Sequence, residues 1–275
     1  MSITHNSHIS SRIEQGEDLT GQDFSQSDLY GKNFSQANLT GVNFSQTTLV
    51  NANLTQTNLS GANLTGADLR GVDLRGANLT GANLTGAYLN RADLRGCVLT
   101  AAILTDTQLS LALYDKQTVW VEGFNYKSCG AVGPKANLTG AFLSTANLRG
   151  VDLEEARLIG AYLSGTDLTG ANLANTSLSG ATLEKAFLTG ACLRNARLAG
   201  VQLKGADLRA TDLTGADLTS LESIAGADFS LAIGLTPETI AKLLSFPAAD
   251  VTTWNSYTRK TTQDSLNSLL ASRKN

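Results

Sequence analysis

Histidine is almost missing from these 275 residues: there are two, His5 and His8, both near the start of the chain. A body without imidazole lacks the usual general base for a Ser–His or Cys–His nucleophile, which removes the commonest hydrolytic and acyl-transfer sites. The two histidines belong to a polar stretch, residues 1–16, read as a flexible tail that could at most hold adventitious metal. Cysteine is scarce too. Cys97, Cys129 and Cys192 are an odd number at wide spacing, which fits neither a metal site nor a disulfide framework. They read as free thiols in a reducing compartment. Charged residues are only 16% of the chain and the net charge is −3, too weak to point to direct nucleic-acid binding. No apolar run approaches membrane-spanning length. The first residues have neither the basic nor the apolar region of a signal peptide, so a cytoplasmic location is expected. No phosphate-binding or dinucleotide fingerprint is present, so no cofactor, metal or small-molecule substrate is expected.

What the chain has instead is one unit repeated. Ala62-Asn63-Leu64-Thr65-Gly66 is a typical copy: small, Asn or Asp, Leu, Thr or Ser or Arg, Gly. Its central Leu or Phe recurs every five residues from Leu19 to Leu109 and again from Leu138 to Leu218. A helix would scatter such residues around its surface. A straight strand would send them alternately to both faces. The interior can keep every Leu only if the chain turns a corner within each unit. Ala62 and Leu64 then share the inside of a short extended piece, Asn63 points out, and Thr65-Gly66 make the bend. Cys97 and Cys192 are read as replacing the outward Asn or Asp.

This A(D/N)LXX pattern resembles the pentapeptide-repeat family over about residues 17–230. The resemblance implies an all-β fold, a right-handed quadrilateral β-helix with four units per turn. Residues twenty apart then stack. Phe24 should lie on Phe44 with Phe34 opposite, Phe142 on Tyr162, and Asn38, Asn58 and Asn78 in one ladder, with Asn43, Asn63 and Asn83 in another.

Five segments follow: the tail 1–16, a first run 17–110, an insertion 111–135, a second run 136–230 and a helical C-terminal cap 231–275. The first turn holds Glu17, Gln22, Ser27 and Lys32 at its inner small positions, as the open end of a repeat array would. Thr236-Pro237 with Glu238 reads as a helix start, and Leu266, Leu269 and Leu270 mark a second helix over about 262–272. This cap can plug the coil or form a dimer contact, leaving a monomer or a dimer through the C-terminal region.

The insertion is rich in aromatics: Tyr114, Trp120, Phe124 and Tyr126. Tyr114-Asp115, Thr118, Trp120 and Gly123-Phe124 resemble an interruption seen in cyanobacterial members of the family. Trp and Tyr are favoured binding anchors, so these four are the candidate partner-binding residues, with Trp120 and Phe124 expected to fold back and Tyr114 or Tyr126 to stay at the rim. Two functions are open. The first is a rigid, non-catalytic scaffold for an unidentified protein partner. The second, implied by the resemblance, is imitation of DNA to regulate an enzyme such as DNA gyrase. Residues 17–111 carry eight acidic and five basic side chains and 136–230 carry ten and seven, a mixed surface that favours the scaffold.

Overall fold

The structure, a computed structural model, describes residues 18–272. His5, His8, Glu17 and the stretch 1–16 lie outside the described residues. The chain divides into two compact units, Met1–Val132 and Gly133–Asn275.

In the first unit the five-residue period becomes a four-sided β-helix. Around Leu64 the local logic is complete. The Ala67 amide donates to the Leu64 carbonyl at 3.0 Å and Gly66 sits at φ +63, closing a tight turn that needs a left-handed residue. The Asn63 amide donates to Val42 O, and the Leu64 amide to Asn83 O. One residue thus reaches the turn before and the next reaches the turn after. Parallel bridges join residues twenty apart, Asp23 to Asn43, Asn43 to Asn63, Asn63 to Asn83. Four units therefore make each turn. Apart from Leu104, the Leu and Phe centres are buried, and so are most of the Ala, Val or Thr residues two positions before them. Thr47 resolves its buried hydroxyl by donating to Phe24 O at 2.8 Å.

The outer rungs form the expected ladders in part. Asn63 donates to Asn43 Oδ1 at 3.1 Å and Asn78 to Asn58 Oδ1 at 3.3 Å. Each Oδ1 also takes the amide two residues on, and Asn58 and Asn63 take the hydroxyl there as well, from Ser60 and Thr65. Phe24 and Phe44 stack at 5.5 Å, with Phe34 edge-on to Phe44 at 5.8 Å. Gln22, Ser27 and Lys32 are only partly buried, and the fully buried small positions begin at Val42. Cys97 corrects the sequence reading. It lies two residues before Leu99, the inner position, and is buried; Val98 holds the outward rung. Its thiol donates to Leu74 O at 2.8 Å.

The second unit repeats the design from Asn137, which bridges Arg157, to Asp212, which bridges Ile233. The last turns carry one extra residue, so Gln202 pairs with Ser223. Gly234 closes the coil at φ +84, where a Cβ would collide with the Thr214 backbone nitrogen.

Three helices follow, α1 (Pro237–Leu244), α2 (Ala248–Val251) and α3 (Thr262–Ser272). Thr236 caps α1 by accepting from the Thr239 amide, with Pro237 at the first position. Ile240, Leu243, Val251, Leu266 and Leu269 are buried. The helices also satisfy the coil's last backbone groups. Ser265 Oγ accepts from Phe229 N at 3.1 Å, and Thr262 Oγ1 donates to Ile224 O at 2.8 Å. They close the end of the β-helix, where open ladder groups would otherwise invite another chain. No helix among the described residues is long and apolar enough to cross a membrane.

Candidate functional site

The aromatic segment is not a loop thrown off the coil but its continuation with altered spacing. Leu113 bridges Asp93, Val119 bridges Val98, and Val132 bridges Leu113. Ala112-Leu113-Tyr114 and Thr118-Val119-Trp120 are therefore two further inner–outer–inner triplets, separated by one extra residue. The buried Thr118 hydroxyl donates to Leu94 O at 3.0 Å, the bond Thr47 makes to Phe24.

Asp115 absorbs the extra residue. At ordinary corners the left-handed residue's amide donates to a backbone carbonyl nineteen residues on, as Gly76 does to Arg95 O. Gly96 instead donates to Asp115 Oδ1 at 2.9 Å, and the same oxygen accepts from the Gln117 and Thr118 amides. A carboxylate stands in for a displaced carbonyl, which accounts for Asp115 and Thr118 in the motif.

Tyr114 is 2% exposed, so it cannot meet a partner, and of the two tyrosines expected at the rim only Tyr126 is partly exposed. It holds the others from below. Its ring meets Trp120 and Tyr126 edge-on at 5.5 and 5.6 Å. Trp120 in turn stacks with Phe124 at 5.5 Å and with Tyr126 at 5.6 Å, the latter pair within 2° of parallel. Trp120, Phe124 and Tyr126 are partly buried, and a 3-10 turn, Tyr126–Ser128, presents the last of them. All four residues come together, Tyr114 buried and the other three partly buried. Lys127 Nζ lies 5.9 Å from the Tyr126 ring centre.

Charges around the coil come in opposed pairs. Arg70, Arg75 and Arg95 reach back to Asp68, Asp73 and Asp93 at 2.6, 2.6 and 2.5 Å. Hydrogen bonds from Arg70 hold the Asp68 carboxyl below its usual range. Burial pushes Asp73 up, and the Arg75 hydrogen bonds more than offset it, so it too lies low. In the second unit Asp207 is 3% exposed at its side chain and follows the same balance, burial against Arg209 and Thr189. Burial drives the Cys97 thiol up to about 12, so it is no nucleophile at neutral pH. Cys129 is shifted the same way for the same reason.

The sequence also placed Phe142 over Tyr162, and their rings are parallel within 3° at 4.8 Å. The surface this creates was not read as a site, although Phe142 is 78% exposed. An outward rung position occupied by Phe is the signal that could have shown it.

A family model described as pentapeptide repeats matches residues 18–56, 37–76, 77–113, 135–165, 161–200 and 196–233. The chain belongs to the pentapeptide repeat family. Its fold is the right-handed quadrilateral β-helix of that family, with C-terminal helices added. Among solved structures, one similar protein is HetL, a pentapeptide repeat protein involved in heterocyst differentiation regulation from the cyanobacterium Nostoc sp. strain PCC 7120. It is 28% identical, covers 81% of this chain and 96% of its own, and has a TM-score of 0.35. Rfr23 from the cyanobacterium Cyanothece 51142 is 34% identical over 43% of this chain and 99% of its own, with a TM-score of 0.28. QnrB1, a plasmid-mediated fluoroquinolone resistance protein, is 18% identical over 68% of this chain and 88% of its own, with a TM-score of 0.41. No curated protein matches this pentapeptide repeat chain.

Proposed function

We propose that this pentapeptide repeat protein is a rigid, non-catalytic scaffold that docks a protein partner through Trp120, Phe124 and Tyr126. The observation that carries the reading is the stack itself: three partly buried rings locked by contacts of 5.5 to 5.6 Å above a buried Tyr114. Such preorganised aromatic groups lose little entropy on binding. The coil interior is filled by Leu and Ala columns, so the chemistry available to the chain lies on its surface. The setting we assign is the cytoplasm, where three unpaired thiols stay reduced.

The test is capture of partners from the native cell by the intact chain and by Phe124→Ser and Tyr126→Ser variants. Melting within a few degrees of wild type together with loss of the captured protein supports the reading; unchanged capture rejects it. Imitation of DNA is the weaker function because Asp68, Asp73, Asp93, Asp167, Asp207 and Asp212 each face an arginine, which breaks up a phosphate-like track. Purified protein should leave gyrase supercoiling unaffected, and potent inhibition would reverse the ranking. A dimer formed through the C-terminal region would bury Leu231 and Ile233, exposed at 74% and 57%. Sedimentation of wild type beside Leu231→Ser separates monomer from dimer.

A further inference from the structure

We propose that the cleft between the cap and the coil of the second unit takes an acidic peptide segment by one aromatic side chain. This goes beyond the Trp120 surface and stands or falls independently of it.

The cleft measures about 240 Å³. That is below the roughly 300–1,000 Å³ of a cofactor or drug-sized pocket, and suits one large side chain. Its floor is Phe187 and Asp207 on one coil face and Gly205 at the corner. Its wall is the cap segment from Thr253 to Tyr257. Asn255 pins that wall. It is 2% exposed and its Nδ2 donates to Gly226 O at 2.7 Å and Gly205 O at 3.2 Å, while its Oδ1 accepts from the Tyr257 and Thr258 amides. The cleft is thus held open by hydrogen bonds to the coil before any ligand arrives.

The rings within it are unusually bare for a closed end of a fold. Trp254 is 59% exposed and Tyr257 62%. Tyr257 is steadied edge-on by Phe187 at 5.0 Å and by the Arg209 guanidinium at 5.8 Å, so it presents a fixed surface. A guest ring between Trp254 and this pair gains apolar contact and aromatic packing.

The charge at the rim selects the guest. Lys185 and Lys204 line the cleft, both exposed, and neither is in an ion pair among the described residues. Arg149, Arg194 and Arg209 in the same unit are all paired. The one carboxylate in the lining, Asp207, is already engaged by Arg209 at 2.7 Å and by Thr189 at 2.9 Å. The free charge is therefore positive, on two points beside an aromatic slot. Carboxylates flanking an aromatic residue match that arrangement. A nucleic-acid strand would need a longer row of cations along its phosphates.

The probe is the acetylated, amidated peptide Asp-Glu-Phe-Glu-Asp, titrated calorimetrically into the full chain at low salt. Controls are the same peptide with Ala for Phe, one with Lys for every acidic residue, and a short oligothymidylate. We expect binding of the first peptide alone, weakening as salt rises. The Lys185→Glu/Lys204→Glu variant and, separately, Trp254→Ala should each lose about tenfold in affinity or more. Their melting should match wild type, since all three side chains are exposed. Three outcomes overturn the proposal: no binding up to about 1 mM, equal or tighter binding of the Lys peptide or the oligothymidylate, or unchanged affinity in the variants.

Discussion

The two units use the same coil but spend their outward positions differently. In the first, Arg70, Arg75 and Arg95 follow Asp68, Asp73 and Asp93 by two residues, and the shortest contact of each is with its own corner, although Arg75 Nε also lies 3.8 Å from Asp93 on the next turn. In the second, Arg149 follows Asn147 and Arg194 follows Cys192, so no carboxylate stands at the local rung. Both guanidiniums cross to the next turn instead, to Asp167 at 3.1 Å and Asp212 at 2.5 Å. Arg209, whose own rung is Asp207, reverts to the local pattern. With a carboxylate at the rung the arginine's shortest contact is local; without one it lies on the next turn. The uncharged rungs differ as well. The first unit stacks Asn on Asn, whereas the second stacks Phe142 on Tyr162 and leaves the pair open to contact.

The largest effect should be shared by both units. Leu64 and Leu143 are each 1% exposed, so Leu64→Lys and Leu143→Lys bury a charge among stacked aliphatic groups at a cost of about 4 kcal/mol or more. Loss of the cooperative circular-dichroism transition in both is expected; a soluble, wild-type-like melt in either would mean its coil is assigned inside out.

Next comes a contrast between units. Tyr114→Ala removes a buried ring and should cost about 3–5 kcal/mol. Phe142→Ala removes an exposed ring from the second unit and should stay near 0.5 kcal/mol. Denaturant midpoints that shift equally would erase the distinction between supporting and surface aromatics. With Trp254→Phe as background, Trp120 emission should also be blue-shifted, as its partial burial requires.

Acid should act on both units. Asp68, Asp73, Asp207 and Asp212 have carboxyls held below their usual range when folded. Depressed folded values mean the unfolded chain binds protons first, so their contribution is complete above about pH 4 and is lost as pH falls through the folded values. Melting temperature should be flat from about pH 8 to 5 and drop below about pH 4. A fall that begins near neutrality would point to other groups.

Smaller still is the ladder. Asn58 accepts from the Ser60 amide and hydroxyl and from Asn78, and donates to Thr40 at 2.9 Å, so Asn58→Ala should cost about 1 kcal/mol. Asn147 accepts the Arg149 amide at 3.3 Å, and Asn147→Ala should cost about half that or less. Reversed order in thermal melts would remove the ladder as a source of stability. The finest test is Asn147→Asp. It offers Arg149 a local carboxylate, and the Arg149–Asp167 coupling in a double-mutant cycle should shrink toward zero. Unchanged coupling would show that corner geometry, not the rung residue, selects the partner.

Much of this was legible in the residues. A period of five leaves only a coil with corners, and twenty residues per turn stacks Phe24 on Phe44 and Phe142 on Tyr162. Thr236-Pro237 marks a helix start by local chemistry alone. These features depend on neighbours a few residues away or on an exact repeat, and a sequence carries both kinds of information openly. What it hid begins where the period slips. Tyr114 and Trp120 continue the coil although neither is Leu, because the inner position demands bulk and low polarity rather than one residue type, and the Asp115 carboxylate repairs the corner between them. Cys97 turned inward because direction follows its distance from Leu99, not its resemblance to a rung residue. The cleft lined by Lys185, Phe187, Trp254 and Tyr257 joins residues about seventy positions apart. Spacing along the chain determined the coil; only the packing of the cap back onto it decided which side chains were left bare, because exposure depends on what the far end of the chain covers.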